Sequence, residues 1–198
     1  MYEEKKEEYA IVLDFMSTGK SFSTRAEPIT QIMGEDFFTL LEAVPKEGIV
    51  LSIGERVYIG KDNREKISLI KSRIPFSQLT ETAKSTLPEA IHGVITAHEQ
   101  RFSDFFNNAG PLNIREHSLE LLPGIGKKNL NAIINARKEK KFEGFADISA
   151  RVSFIQDPAK LISRRIMTEL EGGERFYLFT KPYQPRPPYQ PRSGPYRH

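Results

Sequence analysis

The sequence predicts an α+β protein in which a small N-terminal β-barrel is followed by an all-α region of helical hairpins. Two observations predict this order. Short apolar segments separated by turn residues fill the first seventy or so residues, which is typical of a small barrel or curled sheet. From Pro75 onward the apolar residues recur at helical spacing instead. A chain of 198 residues is long enough for one large or two small domains with buried cores.

Composition narrows the class of protein. Apolar residues make up 38% and charged residues 28% of the chain, as in soluble globular proteins. Cysteine is absent, which excludes disulfides, a thiolate nucleophile, cysteine-ligated zinc and iron–sulfur clusters. The longest apolar run, 9–13, is far shorter than the ~20 residues of a membrane span. We therefore expect a cytosolic (cytoplasmic) protein without a cofactor or a membrane partner.

The predicted barrel occupies residues 1–74. Alternating apolar residues at 9, 11, 13 and 15 predict the first strand with one buried face. Turn residues delimit the further strands. These are predicted at 29–33, 37–44, 49–53, 57–59 and 66–74.

The second part of the chain divides into four regions. Helical spacing at Leu79, Ala83 and Leu87 begins a set of connecting helices at 75–110, in which Pro88 fits the first turn of a longer helix. A helical-hairpin domain is predicted at 111–171, and the apolar run at 176–179 predicts a returning strand within 172–180. The proline-rich tail at 181–198 is expected to be extended and mostly disordered.

One segment of the helical region predicts an anion site. A helix ending near Leu122 is followed by Pro123-Gly124-Ile125-Gly126 and a second helix. The glycines permit positive φ and close approach of a ligand to the backbone, while Ile125 fills the space between the helices. The free amides of the second helix then face outward. Residues 123–141 hold six basic residues and one acidic residue, a net +5, with Lys127, Lys128 and Asn129 beside the turn.

A second hairpin follows the first. A helix-packing face is predicted from the spacing of Phe142, Phe145, Ile148 and Val152. Asp157 and Pro158 predict the N-cap and first turn of a helix that ends near residue 170. The turn at 155–158 lacks the glycine pair, so we expect it to be structural. Two interpretations stay open for Lys160, Arg164 and Arg165, namely a solvated helix face or contacts to phosphates.

The segment 119–134 resembles the helix-hairpin-helix motif of DNA- and RNA-binding proteins. That resemblance implies a phosphate grip by the backbone amides of Gly124 and Gly126, with Lys127, and flanking contacts from Lys128 and Asn129. Pro123 and Ile125 complete the motif. Phosphate contacts of this kind position a protein without reading sequence. The alternative is a tight helical turn that only packs against its own domain.

The whole arrangement resembles an archaeal family of predicted RNA-binding proteins of unknown function, in which an OB- or S1-like barrel precedes a tandem helix-hairpin-helix domain. Four segments carry this resemblance: 8–14, 53–60, 122–127 and 176–179. It implies nucleic-acid binding, with RNA favoured over DNA. A basic or aromatic barrel surface would add contacts to single-stranded bases. Its candidate residues are Lys20, Arg25, Arg56, Tyr58 and Lys61.

The sequence therefore predicts a non-catalytic nucleic-acid-binding protein. One alternative is a DNA-repair factor or a glycosylase-like enzyme, because Lys128 resembles the catalytic lysine of glycosylases that use this hairpin and Asp147 lies near the position of their aspartate. The other is a protein–protein assembly module of a nucleoprotein complex. No metal site is predicted, since the four histidines do not converge along the chain. Alternating Pro, Tyr and Arg in the tail fit either nucleic-acid binding or a solubilising role.

Overall fold

The structure is a computed structural model that describes residues 6–19 and 27–185. Five strands form one antiparallel sheet in the order β4-β1-β2-β3-β5. Turn residues separate the strands, as the sequence predicts. The strands are β1 (Tyr9–Met16), β2 (Ile29–Gly34), β3 (Leu40–Pro45), β4 (Arg56–Tyr58) and β5 (Ile67–Arg73).

Seven helical segments follow the sheet in the part of the chain up to residue 185. Two are short 3-10 helices, at Phe76–Gln78 and Ser118–Leu121. The others are α1 (Glu81–Ala97), α2 (Glu99–Asn108), α3 (Lys127–Glu139), α4 (Phe145–Arg151) and α5 (Pro158–Glu171). Within the described residues, no helix combines the length and apolar character needed to cross a bilayer.

The side chains of β1, β2 and β3 are buried or half-buried on both faces of the sheet, since successive side chains of a strand point to opposite faces and none of these residues is exposed. Val12 and Ile32 belong to an apolar cluster on one face that contains only residues of the N-terminal part. Leu13 and Met33, one position further along, belong to a second cluster that includes apolar residues of all five α-helices. The sheet and the helices therefore share one core.

This shared core corrects the predicted fold class. The protein is α+β, but it is not an OB/S1-like barrel followed by a separate all-α tandem helix-hairpin-helix domain. The sheet is curled and open, and its edge strands β4 and β5 do not pair with each other. The helices predicted as connectors at 75–110 cover the sheet, with Leu87 and Ile91 of α1 fully buried against it.

Three further elements also differ from the prediction. Pro88 lies inside α1 rather than in a first turn, and the helix break falls at His98. Residues 49–52 are irregular and a turn begins at residue 53, so no strand forms at 49–53. Residues 37–39 are a turn around the buried Phe38, whose φ is 53°. The carboxylate of Glu7 holds this turn by accepting bonds from the amides of Asp36, Phe37 and Thr39.

The predicted returning strand at 172–180 is wrong: this segment is irregular. Its amides bond to a side chain instead of a neighbouring strand. The carboxylate of Glu169, only 2% exposed, accepts bonds from the amides of Leu178 (2.7 Å), Phe179 (3.1 Å) and Thr180 (2.9 Å). It also pairs with the buried Arg165 guanidinium at 2.9 Å. The tail from residue 186 lies outside the described residues.

Candidate nucleic-acid interface

The turn at 122–125 has the chemistry of a type II β-turn. Pro123 stands at its second position and Gly124 at its third, with a φ of 81° that favours glycine. The Ile125 amide closes the turn on the Leu122 carbonyl at 3.1 Å. Leu122 and Ile125 are buried, whereas Pro123 and Gly124 are exposed. The apolar pair thus anchors the turn and leaves its tip in solvent.

The N-terminus of α3 is open. Gly126 is its N-cap, with φ −89° and ψ 179°, and no side chain caps the helix. Leu130 donates the first bond within the helix, to the Gly126 carbonyl at 2.9 Å. The amides of Lys127, Lys128 and Asn129 precede that bond and therefore have no acceptor within the helix. Such a group of amides attracts anions.

Neither glycine of this turn is needed to avoid a clash. A Cβ atom built at Gly124 or Gly126 meets nothing within 4 Å. Gly124 is required by its positive φ, but the φ of Gly126 suits any residue. The space in front of both backbones is open to a ligand. Asn129, expected as a flanking contact, donates its side-chain amide to the Gly124 carbonyl at 3.0 Å and braces the turn.

The positive charge around this turn divides into two groups. Lys127 and Lys128 are exposed and form no ion pair with any described residue. Arg137 instead donates to the carbonyls of Phe106 and Ala109 at 2.9 and 2.8 Å, which ties α3 to α2. Lys140 pairs with Glu143 at 2.7 Å. Lys127 and Lys128, next to the open helix end, are therefore available to an anion bound there.

A histidine shapes the entry to the turn. The first helix of the hairpin is the 3-10 helix Ser118–Leu121, capped by Nδ1 of His117, which accepts from the Leu119 amide at 3.2 Å. Glu120 completes the capping box by accepting from the His117 amide at 2.9 Å. Burial lowers the pKa of His117, and the nearby Arg137 cation lowers it further. The neutral ring is thus the capping form.

The turn at 152–155 repeats the scaffold of the first turn. The Ile155 amide bonds to the Val152 carbonyl at 2.8 Å, and both side chains are buried. Phe154 takes the place of Gly124, without positive φ, and is 39% exposed. The following helix is capped as predicted: Asp157 accepts from the Lys160 amide at 2.9 Å, and Pro158 begins α5.

The two turns face one groove of about 620 Å³. Gly124 and Asn129 line it from the first hairpin, and Phe154 and Gln156 line it from the second. Lys160 and Arg164 of α5 line it as well and are exposed, with no ion pair to a described residue. The sequence pattern does not predict this groove, because it is formed by residues thirty positions apart.

Arg165 has a different role from its neighbours on α5. It is 5% exposed and binds Glu169, Glu174 (2.7 Å) and the Phe176 carbonyl (2.5 Å). Of the three cations considered on this helix, Arg165 is structural. Lys160 and Arg164 face solvent at the groove.

The candidate contacts on the sheet lie apart from the groove lining. Arg56 is engaged by Glu35 through two bonds of 2.7 and 2.9 Å and lies 3.5 Å from the centre of the Tyr9 ring. The Tyr58 hydroxyl donates to the Asp62 carboxylate at 3.2 Å. Lys61 is exposed. Lys20 and Arg25 lie outside the described residues.

The enzymatic alternative requires Lys128 and Asp147, and of these two residues Asp147 is already bound by other groups of the protein. The Asp147 carboxylate accepts from the Glu143 amide and from Arg151, both at 3.1 Å. Asp147 lies in the first turn of α4, whose N-cap is Gly144. Among the described residues, no three His, Asp or Glu side chains gather as a metal site.

The fold and site define an α+β protein in which a curled sheet shares its core with helices that carry two turns facing one groove. The chain belongs to the family described as "Protein of unknown function (DUF655)", whose model matches residues 6–181.

Two archaeal proteins are similar to this chain. Uncharacterized protein MJ0038 of Methanocaldococcus jannaschii is 42% identical over 180 residues, covering 90% of this chain and 82% of the relative. The crystal structure of Af1531 from Archaeoglobus fulgidus is 44% identical, with a TM-score of 0.82, and covers 88% of this chain and 100% of that chain. These matches confirm the expected relationship to an archaeal family of unknown function.

Proposed function

We propose that this protein binds nucleic acid, with RNA favoured, by holding a backbone phosphate at the turn 123–126 and the first amides of α3. The observation that carries the proposal is the open helix end at Gly126. Its amides have no side-chain cap, and apart from the adjacent residues no described part of the chain lies within 4 Å of a Cβ placed at either glycine. Phosphate oxygens are suited to such donors.

The charge distribution supports the same ligand. Lys127 and Lys128 are the residues that follow Gly126, and both are exposed. Lys160 and Arg164 add two more cations in the adjoining groove. A polyanion would meet all four, whereas a single small anion would use only the turn. The preference for RNA rests on the resemblance of the sequence to predicted RNA-binding proteins, and no catalytic step is part of the proposal.

The test is fluorescence anisotropy with the full chain and single-stranded RNA, hairpin RNA, single-stranded DNA and duplex DNA at two salt concentrations. We expect salt-sensitive binding with RNA preferred, because phosphate contacts release counterions. Gly126→Ala should weaken binding, since a Cβ would stand where the phosphate approaches. Gly124→Ala should weaken it as well, by the same obstruction and through strain at positive φ.

Gly54→Ala is the matched control for Gly124→Ala. Gly54 also has a φ of 81° and open space around a Cβ, but it lies before β4, on a different part of the chain. It should lose stability as Gly124→Ala does and keep its affinity. Binding equal to wild type in a folded Gly126→Ala protein would overturn the proposal. A duplex-DNA preference would favour a repair role, and no binding to any probe would favour an assembly module.

A further inference from the structure

We infer that the groove between the two turns receives an unpaired base, so that the ligand is a single-stranded nucleic acid whose base stacks on Phe154. The inference rests on the proposed phosphate grip at 123–126 and names the class of nucleic acid that would use it.

Phe154 is exposed between two buried apolar residues of the second turn. Val152 and Ile155 are each 3% exposed, whereas Phe154 between them is 39% exposed. The ring lines the groove instead of joining the apolar core. An aromatic ring at the edge of a polar groove offers a face for stacking, and stacking suits any base because every base has a π-face.

The groove has the size and the charges for a nucleotide. Its volume of about 620 Å³ lies within the range of small-molecule sites. Lys160 and Arg164 lie on one face of α5, one helical turn or about 6 Å apart along the axis. Both residues also line a second groove of about 610 Å³, which is bounded by Pro88, His92 and Met167. Pro123 borders both grooves, so the two adjoin at the turn proposed to hold the phosphate.

The Asp157 carboxylate, which lines the groove, already accepts a hydrogen bond from the protein backbone. Asp157 accepts the Lys160 amide at 2.9 Å as the cap of α5. The cations Lys160 and Arg164 outnumber it on the same wall. The ligand must then present negative phosphates to α5 and an aromatic face to Phe154. In a duplex the base faces are covered by their neighbours, so a single strand or an extruded base meets both requirements.

The test compares Phe154→Leu with Phe154→Tyr in the full chain, by anisotropy with single-stranded RNA and an RNA duplex of matched length. Phe154→Leu should weaken single-strand binding about fivefold to a hundredfold, the value of one base stacked on an aromatic ring. Phe154→Tyr should keep the affinity. The salt dependence should not change, because stacking releases no counterions. Ile114→Ala, at a fully exposed apolar residue outside the groove lining, is the control and should bind as wild type.

A second measurement locates the base directly. A 4-thiouridine oligonucleotide crosslinked by ultraviolet light should label a groove residue such as Phe154 or Gln156, as identified by mass spectrometry. Wild-type affinity in Phe154→Leu, with a loss in Gly126→Ala, would overturn the stacking inference and leave the phosphate grip standing. Crosslinks confined to other parts of the chain, or duplex bound as tightly as single strand, would also overturn it. Absence of any binding by the wild type would overturn both proposals.

Discussion

The two turns at 122–125 and 152–155 share a scaffold and differ in what they offer to solvent. Each places an isoleucine amide on a carbonyl three residues earlier and buries the two flanking apolar side chains. The first turn then exposes glycine backbone and an uncapped helix. The second exposes a phenylalanine ring and caps its helix with Asp157. The scaffold is set by packing, and the two exposed surfaces are free to take different roles.

The helices behind the turns differ in the same way. In α5 the buried Arg165 and Glu169 fix the segment that follows the helix. In α3 the cations next to the turn are exposed. We therefore expect substitutions in the second hairpin to change stability first, and substitutions in the first hairpin to change binding first.

The largest expected effect is on stability, in Glu169→Ala. This change leaves the Arg165 guanidinium without its buried partner and three amides without their acceptor. It should lower the free energy of unfolding by about 3–5 kcal/mol, as measured in urea. Lys128→Ala in the first hairpin should change it by less than about 0.5 kcal/mol. Equal losses in the two variants would show that the hairpins do not divide structure and binding in this way.

Gly126→Asp would give the first hairpin the cap of the second. The φ and ψ of Gly126 suit an N-cap aspartate, so the melting temperature should stay equal or rise slightly. The carboxylate would occupy the amides and repel phosphate. RNA affinity should fall about tenfold to a hundredfold, the value of a hydrogen bond to a charged group. This variant is expected to keep its stability and lose affinity. Unchanged affinity in the folded protein would therefore contradict the phosphate grip.

Asp157→Ala is the reverse change in the second hairpin. It removes the acceptor of the Lys160 amide and should lower the free energy of unfolding by about 0.5–2 kcal/mol. RNA affinity should be equal or higher, since a negative charge leaves the groove. Thermal unfolding and anisotropy on the same preparation check both quantities. A strong loss of affinity in a folded protein would assign Asp157 to the ligand instead of the helix cap.

The smallest expected effect is on the pH dependence of stability. Burial lowers the pKa of His117, so the unfolded chain takes up the proton first as pH falls below about 6.5. The stability contributed by neutral His117 is present above that pH and is lost as pH falls through the lower pKa of the folded state. His117→Asn keeps a capping acceptor and should remove this part of the pH dependence in urea unfolding. An identical pH profile in that variant would contradict a role for His117 titration.

Local signals predicted the start of α5 and the first turn. Asp157 and Pro158 mark the start of α5 within the sequence itself, because capping needs only neighbouring residues. Pro123 and the glycines likewise mark the first turn. The apolar run at 176–179 was misleading, since its backbone bonds go to the Glu169 carboxylate on another element. A local pattern does not reveal such an acceptor.

The arrangement of the elements was not predictable from the same signals. Val12 and Leu13 are both buried, on opposite faces of the sheet. The alternation of apolar residues in β1 predicts one buried face and does not reveal that apolar residues cover the other face as well. The bond between Arg56 of β4 and Glu35, the residue after β2, joins parts of the chain that are distant in sequence and engages a predicted contact residue. Phe154 could have been found by aligning the two turns on Ile125 and Ile155, which places the ring opposite Gly124.

The shared core also determines how the molecule unfolds. Leu13 of β1 and Phe179 beyond α5 belong to the same apolar cluster, so neither the sheet nor the hairpins can separate without exposing the other's buried surface. Unfolding should therefore be cooperative, with helix and strand signals in circular dichroism lost at the same denaturant concentration. A fragment of residues 111–171 would lack the apolar surface of α1 and the sheet. The proposed binding surface thus depends on the whole chain for its stability.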